Sequence, residues 1–261
     1  MSGHSSTAGT NKPANEAVLT MKTIGLLGGM SWESTLNYYR LLNEGIKQRL
    51  GGLHSAEICL FSVDFDAIEK LQHQGAWDEL AQQLSAAASA VERGGADFLL
   101  ICTNTMHKVA PQIAATVTIP LLHIADVTGA ALQKNAVRRV GLLGTRFTME
   151  EAFFKQRITE YFHIEVLIPN AVQRELIHRV IYQELCLGVI REQSRLEFLA
   201  IIAELTAAGA DAIILGCTEI SMLVQQRDTA SPLYDTTAIH VQAAIDLALA
   251  DSGPAATALN R

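Results

Sequence analysis

The chain has 261 residues, a formal net charge of −7, 49% apolar residues and 18% charged ones. That length allows two modest domains or one large one, and the apolar fraction is ample for a core. The acidic balance excludes the clustered Lys and Arg of a nucleic-acid binder, and no apolar run reaches the length of a membrane span.

Residues 1–20 are small and polar and lack the apolar stretch of a secretory signal. They read as a disordered leader or an expression remnant, with Met21 as the natural start. A strand is predicted near 22–28, then a helix near 32–50, a strand near 57–63, a helix near 76–93 and a strand near 97–102. A helix follows near 105–116, a strand near 119–123 and a helix near 124–135. The rest continues as strand 138–143, helix 147–161, strand 163–168, helices 171–187 and 191–208, strand 211–216, strand 231–234 and helix 236–250. Most of these strands are continuous apolar runs, as expected when helices cover both faces of a sheet. The alternation predicts an α/β fold of parallel sheets with right-handed crossovers. Ligands bind such folds at the carboxyl ends of the strands. Gly28-Gly29-Met30-Ser31, Cys102-Thr103-Asn104-Thr105, Gly144-Thr145 and Cys217-Thr218-Glu219 all fall there.

The chain also repeats itself. Gly25-Leu26-Leu27-Gly28 is echoed by Gly141-Leu142-Leu143-Gly144, 116 positions later. Gly95-Ala96-Asp97 leads through an apolar run to Cys102-Thr103, and Gly209-Ala210-Asp211 leads likewise to Cys217-Thr218, the cysteines 115 positions apart. Ile119-Pro120-Leu121 and Ser231-Pro232-Leu233 form a third pair, 112 apart. The period is too long for a solenoid and implies two similar lobes.

One thiol at the same place in each lobe would aim two thiols at one cleft, the geometry that removes a proton from one face of a carbon and returns it to the other. At the start of a helix, N–H groups and the dipole lower a thiol's pKa. Thr103, Asn104, Thr105 and Thr218 supply donors for a carboxylate, and Glu219 can serve as the proton partner of Cys217. Cys59 and Cys186 read as small buried hydrophobes. With no paired cysteine spacing and no export signal, all four cysteines are expected as reduced thiols in a cytoplasm.

Other motifs carry less. Gly25-x-x-Gly28-Gly29 departs from the dinucleotide fingerprint, and only Asp64 stands near the required acidic position. The eight His residues show no ligand spacing, so no metal is expected. His107 can face the cleft, Lys108 reads as solvated, and Trp32, Tyr38 and Tyr39 read mostly as packing.

Met21–Trp32 (MKTIGLLGGMSW), Ile101–His107 (ICTNTMH) and Gly216–Ile220 (GCTEI) closely resemble the aspartate/glutamate racemase family, over Met21 to about Asp251. The likeness is nearest to its enterobacterial broad-specificity branch. It implies a racemase independent of pyridoxal phosphate and metal, built as a homodimer, with an amino acid bound between two α/β domains related by a pseudo-two-fold axis. Carried over by position, Cys102 and Cys217 become the acid/base thiols. Met30, Ser31, Thr103, Asn104, Thr105, Thr145, Thr218 and Glu219 become pocket residues. The resemblance also implies that the chain crosses back, so that 21–118 plus 231–261 form the first domain and 119–230 the second.

There is one departure. Aspartate-specific members carry an Arg after the second strand and a Lys near the end of the second-half helix. Here Ser62–Glu69 holds no Arg, and Cys186 stands at the Lys position. Arg174 and Gln173 on the same helix are the candidate replacements. Without a fixed cation the site would turn over uncharged amino acids such as homoserine as well as acidic ones. Hydantoin racemases, maleate isomerases and arylmalonate decarboxylases share the scaffold type, although a decarboxylase needs only one cysteine. A two-lobed amino-acid-binding protein would show the same duplication without needing thiols.

Overall fold

The structure, a computed structural model, describes residues 21–250. The expected leader at 1–20 and the end of the first domain at 251–261 lie outside the described residues. The first unit runs β1 (Ile24–Gly28), α1 (Trp32–Leu50), β2 (Ile58–Ser62), α2 (Phe65–Gln74), α3 (Trp77–Arg93) and β3 (Phe98–Ile101). A 3-10 turn (Thr105–Val109), a short α4 (Ala110–Ala114) and α5 (Ile124–Lys134) lead to the second unit. That unit runs β4 (Arg139–Gly144), α6 (Arg146–Glu150), α7 (Ala152–Phe162), β5 (Glu165–Leu167), α8 (Ala171–Gln183), α9 (Glu192–Ala207), β6 (Ala212–Gly216), α10 (Ile220–Leu223), β7 (Leu233–Asp235) and α11 (Thr236–Leu249).

The sheets have strand orders β2-β1-β3 and β5-β4-β6-β7, and all strand pairs are parallel. As expected for parallel sheets covered by helices, β1, β3 and β6 are buried along their whole lengths. One face of the first sheet packs Leu27, Leu99 and Ile101 against Leu80, Leu84, Ala88 and Val91 of α3. The other face packs Ile24, Leu26, Phe98, Leu100 and Cys102 against Tyr38, Leu42 and Ile46 of α1 and Val241, Ala244, Ile245 and Ala248 of α11. The second unit has a single continuous core around β4 and β6. β1 ends on Gly28, where a Cβ would lie 2.5 Å from Thr35 Cγ2, so α1 approaches this close only over glycine.

Several expectations need correction. Residues 119–123 form no strand. Leu121 makes one isolated bridge to Leu99, and Pro120 lacks the N–H that a longer ladder would use. That segment therefore extends the first sheet, although 119 was expected to open the second domain. The terminal strand does not rejoin the first domain, since β7 pairs with β6 in the second sheet. Only α11 crosses back, onto α1. The predicted helix 147–161 breaks at Glu151, whose backbone is extended, into α6 and α7. The predicted helix 171–187 ends at Gln183, and a 3-10 turn follows (Leu185–Leu187) before Gly188 with φ 71°. The predicted helix 105–116 is a 3-10 turn joined to α4, with Pro111 in the first turn of α4. Helix α2 was not expected at all, although Asp64 caps its start and Gly75 its end.

Candidate active site

The rims of the two sheets meet at a narrow cavity of ≈ 20 Å³, room for about one water. From the first unit it is lined by Met30, Phe65, Gln72, Met106 and the run Thr103-Asn104-Thr105. From the second unit come Thr145, Ile181, Tyr182, Cys186 and the run Gly216-Cys217-Thr218-Glu219. Besides the bond from Asn104 Nδ2 to Thr236 Oγ1 at the start of α11 (3.0 Å), three hydrogen bonds close the cavity between the units. Ser31 Oγ donates to Glu219 Oε1 (2.8 Å), the Thr105 and Thr145 hydroxyls pair at 3.0 Å, and Gln72 Nε2 donates to the Tyr182 hydroxyl (2.7 Å). Admitting a molecule as large as an amino acid requires these contacts to part.

Glu219 is the polar centre of the site. Besides Ser31, it accepts from the Cys217 thiol at Oε2 (3.0 Å) and from the Thr218 hydroxyl at the same oxygen (2.6 Å). The carboxylate is 3% exposed, and three donors replace its water. Ser31 itself is fixed as the N-cap of α1, accepting from Ser34 N (3.2 Å). Burial, and then the adjacent Glu219 charge, push the Cys217 thiol well above its usual range. The dipole expected to favour the thiolate is overridden, because only the four-residue α10 follows Cys217 and only a 3-10 turn follows Cys102. The thiol at Cys217 is held protonated, with its proton aimed at a carboxylate.

The two thiols are not equivalent. In the first sheet Leu27 pairs with Ile101, and in the second Leu143 pairs with Leu215. Leu27 and Leu143 occupy the same place in the repeated β1 and β4 motifs. Ile101 therefore matches Leu215, Cys102 matches Gly216, and Thr103 matches Cys217. The Gly-Ala-Asp turns before the two strands are 114 positions apart while the cysteines are 115 apart, so the second thiol sits one residue further along its strand. A one-residue shift turns a side chain to the opposite face. Cys102, with no exposed surface, accordingly faces α1 and α11 beside Leu100 and Tyr38 and does not line the cavity. Burial pushes its thiol up as well.

A model of the Asp/Glu/hydantoin racemase family matches residues 27–244. The chain belongs to this racemase family. It is 52% identical to a Yersinia pestis protein described as a candidate Asp/Glu racemase; the match covers 88% of this chain and all of the other, with a TM-score of 0.82. An aspartate racemase homologue from Pyrococcus horikoshii is 32% identical over 87% of this chain and 99% of its own, with a TM-score of 0.76. The Bacillus subtilis broad-specificity amino-acid racemase RacX is 23% identical over 87% of this chain and 98% of its own length.

Against the expected site of this racemase-family member, Met30, Thr103, Asn104, Thr105, Thr145, Cys217, Thr218 and Glu219 line the cavity, and Ser31 reaches it through Glu219. Arg174 does not. Its guanidinium donates to Glu150 Oε1 (2.8 Å) and to the Pro169 carbonyl (2.7 Å) at the start of α8, about two turns before the cavity-lining Ile181. His107 also turns away. Its Nδ1–H donates to the Thr103 carbonyl (2.8 Å) and its Nε2 accepts from Ile124 N (3.2 Å), so it supports Thr103 from behind as a neutral imidazole. Lys108 is not simply solvated, since it pairs with Glu151 (2.6 Å) and lies over the Trp77 ring. Of the aromatics on α1 only Tyr38 is packed, while Trp32 and Tyr39 are exposed. Phe65, Gln72, Met106, Ile181 and Tyr182 escaped the sequence reading, and Cys186, read as inert, lines the cavity. The Asp64 cap and the Gly75 stop of α2 were the signals that could have brought in Phe65 and Gln72. Among the described residues no group of three or more His, Cys, Asp or Glu side chains is placed to hold a metal.

Proposed function

We propose that this protein racemises free amino acids without an organic cofactor, and that Cys217 is the thiol that moves the α-proton. The carrying observation is the buried Cys217–Glu219 hydrogen bond (3.0 Å) at a cavity walled by both units. Glu219 Oε2 takes the thiol proton, and the thiolate then removes the proton from Cα. The hydroxyls of Thr105 and Thr145 offer donors to the substrate carboxylate as negative charge develops on it. On the facing wall Thr103 holds the place that matches Cys217. Its hydroxyl relays a proton from water to the opposite face of Cα, and the protonated Glu219 neutralises the hydroxide left behind. The enzyme returns to its starting state with the configuration inverted.

The cavity lining contains one carboxylate, Glu219, and no Lys or Arg among the described residues. A substrate side-chain carboxylate therefore meets no fixed cation, and substrates lacking one leave no buried charge unpaired. This supports a broad range that includes uncharged amino acids beside aspartate and glutamate. The test is chiral chromatography with L-glutamate, L-aspartate and L-homoserine, compared by kcat/KM. A range confined to one acidic substrate would refute the broad pocket, and racemisation of none of a full amino-acid panel would refute the activity itself.

A further inference from the structure

Asn104 lines the cavity and is 3% exposed, yet its Oδ1 is buried without a hydrogen-bond partner. Its other branch is committed, because Nδ2 donates to Thr236 Oγ1 (3.0 Å). Thr236, at the start of α11, has no exposed surface, and its hydroxyl donates to the Leu215 carbonyl (2.9 Å). A hydroxyl carries one proton. Because the Leu215 carbonyl can only accept, that proton is spent there, and Thr236 Oγ1 can only accept from Asn104. Only the NH₂ branch of the amide can face Thr236, so the amide cannot flip and an acceptor oxygen is left for the ligand. Leu215 lies two residues before Cys217, so this one hydroxyl also ties the strand carrying the thiol to the opposite wall.

We infer that Thr236 is a positioning residue that locks the Asn104 amide with Oδ1 presented to the α-ammonium group of the substrate. An acceptor without a partner costs free energy when buried and suits a cationic N–H donor. A carboxylate or an α-hydroxyl oxygen cannot supply a charged donor there. The identity of the ligand as an amino acid rests on the racemase reading, whereas the locking of the amide does not.

The test compares L-homoserine with its 2-hydroxy analogue, L-2,4-dihydroxybutyrate, by calorimetric titration of the intact protein, alongside KM and kcat for L-homoserine. Wild type should bind the amino acid more tightly. Thr236→Val, which has no hydroxyl to hold the amide, should lose that preference by about 10- to 100-fold, the range for a hydrogen bond to a charged group. The loss should appear in KM more than in kcat, and Thr236→Ser, which keeps the hydroxyl, should restore both. The inference is overturned if folded Thr236→Val keeps the wild-type preference, if Thr236→Ser fails to restore it, or if wild type does not discriminate between the pair. A wild type that discriminates but does not racemise would remove the proposed activity and leave the positioning role standing.

Discussion

Replacing Cys217 and Cys102 in turn by alanine puts the inequivalence of the two thiols to a direct test. Cys217 donates to Glu219 and lines the cavity, so its removal deletes the group that takes the α-proton. Loss of a positioned acid/base group costs about 10²–10⁴-fold in turnover. Cys102 sits in the apolar face shared with Leu26, Leu100 and Tyr38. Its hydrogen bonds are made by its backbone, with N donating to the Leu27 carbonyl (2.9 Å) and its carbonyl accepting from Ser34 Oγ (3.1 Å). Alanine keeps both, so Thr103 stays in place. Deleting one buried heavy atom costs about 1 kcal/mol, which lowers Tm by roughly 2–4 °C in a chain of this size. Turnover should change by less than about threefold, under ~0.7 kcal/mol of barrier. The assays are chiral chromatography, exchange of the α-proton in deuterated water, and thermal melting. A Cys102→Ala protein that melts near wild type and is as inactive as Cys217→Ala would refute the register argument and restore the two-cysteine mechanism.

Three further outcomes are expected. Burial holds His123 at about 3 and His240 at about 4, against the usual 6.5. Above pH 7 both imidazoles are neutral in folded and unfolded chains alike; as pH falls from 6.5 towards 4 only the unfolded chain takes up their protons, so stability falls, by about 3 kcal/mol for His240 alone. Melting scans between pH 7.5 and 4.5 should show Tm dropping from near pH 6.5, and a flat Tm from pH 7 to 5 would contradict this. Arg174→Gln breaks a partly exposed pair with Glu150, worth about 0–1 kcal/mol, and should leave the ratio of kcat/KM for glutamate and homoserine unchanged; an altered ratio would bring Arg174 back into the site. Exhaustive dialysis against EDTA should leave racemisation intact, and activity restored by an added metal would overturn the cofactor-free reading.

What the sequence determined by itself is local. Continuous apolar runs ended by Gly or Cys-Thr specify buried parallel strands, and the twin Gly-x-x-Gly and Gly-Ala-Asp motifs specify two like units whose polar residues gather at one rim. Thr103, Asn104, Cys217 and Glu219 were legible for that reason. What only the tertiary structure decided is which way side chains point once the strands are in register. The identical Cys-Thr pairs invite a symmetric match, but the sheet pairing makes Cys102 the equivalent of Gly216 in the other sheet and turns it into the core, because strand side chains alternate faces and one residue reverses them. Arg174 was near the site in sequence, yet Glu150 and the Pro169 carbonyl hold it at the start of α8, about two turns short of the cavity-lining Ile181. Gln72 and Thr236 carried no motif, and they matter because α2 and α11 bring one polar group each to partners 110 and 132 residues away.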